Sequence, residues 1–226
     1  AAATVAEAAR GVDVFILCVG NDEDVRAVVT EALPHLSEAA VIVDHTTTSA
    51  KVAREMAELA NGQGRSFIDA PVSGGQAGAE NGQLSVMAGG DAAALAKVEP
   101  VLKAYSKAIK HMGPAGSGQL TKMVNQIAIA GLLQGLSEAL NFGKRAGLDI
   151  EKVISVISKG AAGSWQMENR WKNMNEVKFD GFGFAVDFTD AVVGGAAIDA
   201  TGTALPDWGS TAGSSSSSSR WHISPT

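Results

Sequence analysis

The run Val12-Asp13-Val14-Phe15-Ile16-Leu17-Cys18-Val19, then Asp22 to Leu36, then Ala40-Val41-Ile42-Val43-Asp44, decides the fold class. The outer two segments are short, continuous and apolar, the pattern of strands buried on both faces. Between them, Asp22 to Leu36 carries apolar residues at helical spacing, with Asn21 or Asp22 as its N-cap. Strand, helix, strand with no polar face on the strands indicates a parallel α/β sheet covered on both sides. The alternation continues outward. A helix from Ala50 to about Asn61 stops at Gly62. Strands follow at Ser66–Asp69, Leu84–Ala88 and Ala108–Met112, with a helix over Asp91–Ala104 between the last two.

After Gly113-Pro114-Ala115-Gly116 the texture changes. From Gly118 to about Arg145 there is no proline, and apolar residues recur at helical spacing. This long helix is too apolar for a surface helix of the first unit. Further helices are expected at Ile150–Ser158, Trp165–Asn175 and Val186–Ala200. The chain thus divides into an α/β unit over 1–115, an all-helical unit over 116–205 joined by the long helix, and an irregular tail over 206–226. The tail holds the serine run Ser214–Ser219, and no function is placed on it.

Bulk composition removes several function classes. The net charge of -6, with no basic run, offers nothing to a phosphate backbone, so nucleic acid is not an expected partner. The apolar runs are too short to span a bilayer, so no membrane is expected. No Cys/His cluster has metal-ligand spacing, so no metal is expected. One cysteine, Cys18, cannot form an internal disulfide and reads as buried core. Residues Ala1–Gly11 carry Glu7 and Arg10 and lack an apolar h-region, so the default compartment is cytoplasmic.

Three segments carry chemistry. Asp69-Ala70-Pro71-Val72-Ser73-Gly74-Gly75 ends a strand in a turn whose amides and hydroxyl suit a carboxylate. Gly116-Ser117-Gly118-Gln119-Leu120-Thr121-Lys122-Met123-Val124-Asn125-Gln126 leads into the long helix. There Lys122, Asn125 and Gln126 stand at i, i+3 and i+4 and share one face. A lysine on a mostly apolar buried helix loses water, which lowers its pKa towards the range useful for acid/base work. Asp44-His45-Thr46-Thr47-Thr48-Ser49 lies at a strand's C-terminal end, where ligands gather in open α/β sheets.

Taken together, these motifs resemble the β-hydroxyacid dehydrogenase family, over about Gly11 to Asp190. Gly160-Ala161-Ala162-Gly163-Ser164-Trp165 and Phe184-Ala185-Val186-Asp187-Phe188 add weaker similarity. The resemblance implies a partial Rossmann-type sheet followed by an all-α domain, and NAD or NADP as cofactor. It implies hydride transfer to or from a small 3-hydroxyacid or semialdehyde acid. Lys122 would be the general acid/base, and Asn125 and Gln126 would orient the substrate oxygen. Ser73, Gly74 and Gly75 would grip its carboxylate. Val19, Gly20, Asp24 and Thr47 would line the dinucleotide. His45 stands where the family has a small residue, and reads as a packing variation. A homodimer or homotetramer is expected, to cover the long apolar helix.

The resemblance has two gaps. No Gly-x-Gly-x-x-Gly turn precedes the strand at Val12. We therefore expect the strand, turn and helix that hold the pyrophosphate to lie ahead of Ala1, roughly 60 residues at about 30 per βα unit. The family's usual lysine after the Phe-x-x-Asp-Phe segment is Ala191 here. Two alternatives follow: a catalytically silent relative serving binding or assembly, or an enzyme of the 6-phosphogluconate dehydrogenase type. The latter would call on cations such as Arg145, Arg170 and Lys172.

Overall fold

A computed structural model of the chain describes residues 1–178. The segment Phe184–Phe188, the helix expected over Val186–Ala200, Ala191 and the tail from Pro206 lie outside the described residues. A short helix, α1 (Val5–Ala9), for which the sequence offered no period, precedes β1 (Val14–Leu17). Helix α2 (Asp22–Ala32), strand β2 (Val41–Asp44), helix α3 (Ala50–Asn61) and strand β3 (Ser66–Asp69) follow. Asn21 caps α2 through the Asp24 amide, and Ser49 caps α3 through the Val52 amide. The second helix ends sooner than its period suggests. Pro34 converts its continuation into a 3-10 turn over Leu33–His35.

The three strands are parallel and in register, Val14 beside Val41 beside Ser66, so they end level at Leu17, Asp44 and Asp69. Successive side chains point to opposite faces. Ile42 and Phe67 join Val25, Val29, Val52 and Met56 in one core under α2 and α3. Val41, Val43 and Ile68 join a second core on the other face. All four residues of β2 are buried, as a central parallel strand requires. β1 differs. It pairs only with β2 among the described residues, and Ile16 is 40% exposed, so it is not buried on both faces.

The sheet is parallel-dominated but mixed. The chain leaves β3 through Ala70-Pro71 into β4 (Val72–Ser73), α4 (Gly75–Glu80) and β5 (Leu84–Gly89). The connection from Gly74 to Gln83 is shorter than the crossover of about a dozen or more residues that a parallel return needs. β5 therefore runs antiparallel to β3 and β4. Helix α5 (Ala92–Leu102) supplies a full crossover, and β6 (Ser106–Gly113) runs parallel to β5. Leu95, Val98 and Leu102 of α5 complete the second core.

Three helices follow: α6 (Ser117–Arg145), α7 (Ile150–Ile157) and α8 (Trp165–Asn175). They share a small core of Leu136, Leu140, Ile150, Ile154 and Met167. The expectation of a buried α6 is corrected here. Val124 is 68% exposed and Phe142 72%, because few described elements pack on this helix beyond its first turn. No helix among the described residues is long and apolar enough to cross a membrane.

Candidate active site

The site grows from a contact between two glycines. Gly89, at the end of β5, lies against Gly118 in the first turn of α6; a Cβ on Gly89 would stand 2.7 Å from the Gly118 nitrogen. Side chains on either would push the helix off the sheet, so the Gly-x-Gly that opens α6 is a packing requirement. Gly116 begins the helix at φ 89° and offers no side chain as a cap. Asp69 supplies it from the end of β3. Its Oδ1 accepts the Gly116 amide at 2.8 Å and its Oδ2 the Gln119 amide at 2.9 Å. Burial pushes the Asp69 carboxyl up, and the amides that surround it pull it down. A carboxylate on a helix N-terminus answers both the orphan donors and the dipole.

Gln119 extends this knot. It is fully buried; its Oε1 accepts the Thr48 amide at 3.0 Å and its Nε2 donates to the Thr46 carbonyl at 2.7 Å. Thr46 Oγ1 in turn accepts the Val19 amide at 3.0 Å. The start of α6 is thereby wired to the loops at the ends of β2 and β1. Val19 and Gly20 follow the C-terminal end of β1, Thr47 follows that of β2, and Asp24 lies in the first turn of α2. Thr47 is half-buried between the buried Thr46 and Thr48. The Gly20 amide donates to Asp24 Oδ2 at 3.2 Å, and a Cβ on Gly20 would stand 2.7 Å from that oxygen. Asp24 therefore shapes the loop. Cys18 lies on the same loop and is exposed, which corrects its reading as buried core: β1 ends at Leu17 and the chain turns outward. Burial of part of the side chain, and the nearby Asp44, push its thiol up, away from nucleophilic character.

The other cluster forms where α6 passes β4. Lys122 Nζ donates to the Val72 carbonyl at 2.8 Å, one residue before Ser73. Two motifs far apart in sequence meet in this bond. Lys122 is half-buried, and loss of water lowers its pKa from the ordinary lysine value. Asn125 Nδ2 donates to Gln126 Oε1 at 2.9 Å, so the two amides form a pair one turn along from the lysine. Gly74 and Gly75 follow Ser73 at φ 139° and 60°, and both are exposed. A Cβ on Gly74 would stand 3.1 Å from Leu84 Cδ2, so glycine is needed there for conformation and for space.

Sequence reasoning assigned no role to Asp69, Gln119, Asp44 or Tyr105. A charged residue ending an apolar strand, as Asp69 and Asp44 do, was the one available signal, because burial demands a partner. Asp44 is buried; its Oδ1 accepts the Thr46 amide at 2.9 Å and its Oδ2 has no hydrogen-bond partner among the described residues. Burial pushes its carboxyl up to about 6. His45 is more than a packing variation, since both ring nitrogens have polar partners. Nδ1 lies 2.6 Å from the Ala70 carbonyl and Nε2 2.8 Å from Tyr105 Oη.

A parallel-dominated Rossmann-type sheet, loops gathered at its strand ends and a lysine beside them define a dinucleotide-binding α/β protein. Comparison with known proteins narrows this. Residues 1–113 match the NAD binding domain of 6-phosphogluconate dehydrogenase, and residues 116–199 the NAD-binding domain of NADP-dependent 3-hydroxyisobutyrate dehydrogenase. An uncharacterized oxidoreductase of Shewanella frigidimarina is 57% identical over 82% of this chain and 64% of its own length. The NAD-dependent L-serine dehydrogenase of Pseudomonas aeruginosa is 33% identical over 78% of this chain and 61% of its own length. Among solved structures, the 3-hydroxyisobutyrate dehydrogenase of Mycobacterium tuberculosis with L-serine superposes with a TM-score of 0.80 at 30% identity. That match covers 90% of this chain and 73% of the other. The chain belongs to the β-hydroxyacid dehydrogenase family, whose cofactor is NAD or NADP. It spans somewhat under two thirds of the length of these two curated relatives.

Proposed function

We propose that this chain carries the acid/base site of an NAD(P)-dependent oxidoreductase acting on a small 3-hydroxyacid or its semialdehyde. The observation that carries the reading is the bond from Lys122 Nζ to the Val72 carbonyl. It sets a desolvated lysine beside Ser73 and the exposed Gly74 and Gly75. In this reading Ser73, Gly74 and Gly75 hold the substrate carboxylate. Lys122 exchanges the carbonyl for the substrate hydroxyl and takes its proton during oxidation, or returns it during reduction. Asn125 and Gln126 orient that oxygen. Two relatives support the substrate class, since their names cite 3-hydroxyisobutyrate and L-serine, both small acids with a 3-hydroxyl.

The loops also fit the cofactor. Gly20 lacks the Cβ that would meet the Asp24 carboxylate, and Thr47 is half-buried between two buried neighbours. Val19, Gly20, Asp24 and Thr47 would line it there, Asp24 by holding the loop. A nicotinamide bound there would supply the hydride chemistry, and the residues named would hold it. Residues 1–115 would form the cofactor unit and 116–205 the substrate unit. We also propose a homodimer or homotetramer, supported by α6. Val124, Gly131, Gly135 and Phe142 fall on one side of that helix, and all four are exposed.

Initial rates for the intact protein, with a panel of 3-hydroxyacids and with NAD and NADP, test the reaction. Turnover of at least one such acid, lost in Lys122→Ala, is the expected result. Full turnover by that variant, or none by the parent on any acid, overturns the reading.

A further inference from the structure

The segment that follows β3 is held at three successive carbonyls, that of Pro71 by the Met87 amide at 3.0 Å and its two neighbours by side chains. Lys122 takes the Val72 carbonyl and His45 takes that of Ala70. We propose that His45 and Tyr105 form a positioning relay that sets the shape of the loop Ala70–Ser73 and hence its grip on a carboxylate. The proposal rests on the substrate reading given above for that loop. A carbonyl only accepts, so His45 must carry its proton on Nδ1. Nε2 is then a lone-pair acceptor, and the donor available to it is the Tyr105 hydroxyl at 2.8 Å. Each group has one role left to it. Burial favours the same state: it holds the imidazole below its ordinary pKa, hence neutral, and holds the phenol above its own, hence protonated.

Both ends of the relay are anchored. The His45 amide donates to the Leu17 carbonyl at 2.9 Å, extending the pairing of β1 with β2. Tyr105, the chain's single tyrosine, sits between α5 and β6 and packs against the second core. Its ring meets the imidazole edge-on, with centroids 5.6 Å apart at 90°. Tyr105 thus fixes the imidazole, and the imidazole fixes Ala70, three residues before Ser73. A ring free to turn would leave the Ala70 carbonyl with no donor and loosen the peptide between Ala70 and Pro71, while the Ala70 amide on Asp44, the Met87 amide on Pro71 and the pairing of β4 with β5 hold the rest. Misplacement of about 1 Å at a binding group is costly.

Nitrogen-15 NMR of the imidazoles in the intact protein at neutral pH tests the relay without any turnover. The chain has 4 histidines, so the His45 signals are assigned by their loss in His45→Asn. The relay requires Nδ1 protonated and Nε2 bare; a proton on Nε2 overturns it. Steady-state rates give the second test. His45→Leu should raise KM for the hydroxyacid about tenfold, the worth of one buried hydrogen bond, with kcat nearly unchanged. His45→Asn places an amide N–H near the Nδ1 position and should restore most of that loss. Tyr105→Phe should raise KM by a smaller factor. A parent-like KM in both His45→Leu and Tyr105→Phe overturns the relay. Should His45→Leu fail to fold, the tautomer and Tyr105→Phe decide. Retained turnover in Lys122→Ala would instead count against the reading of the site and leave the tautomer result standing.

Discussion

The two ends of α6 obey different rules. In its first turn Gly118 and Gln119 are buried, and Asp69 and Gln119 join it to β3 and to the loop after β2. Farther along, Val124, Ile127, Leu132 and Phe142 are each about half exposed or more. The polar start is locked in, while one apolar side of the later length is left outside even though Leu136 and Leu140 pack against α7 and α8. Lys122 stands at the boundary, half-buried and close enough to the sheet to reach the Val72 carbonyl. The contrast teaches that this helix is placed by hydrogen bonds at its N-terminus, which fix its start and leave its length for other contacts.

The most severe break in this contrast is at the boundary itself. Lys122→Ala should cut turnover by about 10²–10⁴-fold, with cofactor affinity and fold nearly intact. Its pH dependence sharpens the point. The lowered pKa should put a limb below the ordinary lysine range, with oxidation rising and reduction falling as pH increases through it. Equal limbs in both directions would remove Lys122 as the proton carrier.

Asp69→Ala tests the locked end. It strands two amides in a buried place, so urea unfolding should show a loss of about 2–5 kcal/mol. A loss no greater than that of an exposed substitution would mean that the first turn is held by packing alone.

Asp44 has the opposite sign. Its carboxyl titrates at about 6 in the fold against 3.8 ordinarily, so between these values the folded chain binds more protons than the unfolded one. Stability therefore falls as pH rises through this window and stays lower at neutral pH. Asp44→Asn should lack that slope and gain at most about 3 kcal/mol at pH 7. Urea midpoints between pH 4 and pH 7 check this; an unchanged slope would assign it to another group.

The smallest effect on the single chain belongs to the open stretch. Phe142→Asp should alter its stability by no more than about 0.5 kcal/mol. The same change should lower the assembled mass in light scattering. An unchanged mass would move the proposed assembly off this face of α6.

The alternation of apolar strands with periodic helices was legible because burial on both faces leaves a direct mark in composition. β2 and the cores above and below it follow that reading. The antiparallel turn of β5 left only a weak mark, a connection too short to cross over. The motif residues of the site were visible as a set, but the bond joining Lys122 to Val72 was not, since no local pattern records a contact between distant segments.

By itself, then, the sequence determined the α/β class, the main strands and helices of residues 12–175 though not α1, β4 or α4, the glycine turns and the list of chemically able side chains. These depend on periodicity, backbone freedom and residue chemistry, which are local. Only the tertiary structure decided that Asp69 caps α6, that Gln119 clamps the loop beside Thr47 and that His45 joins Tyr105 to Ala70. It also decided that the side of α6 carrying Val124 and Phe142 is open among the described residues, while Leu136 and Leu140 are covered by α7 and α8. Each of these depends on which strand ends stand level and which helix start rests on them, and so on distances that a linear order does not contain.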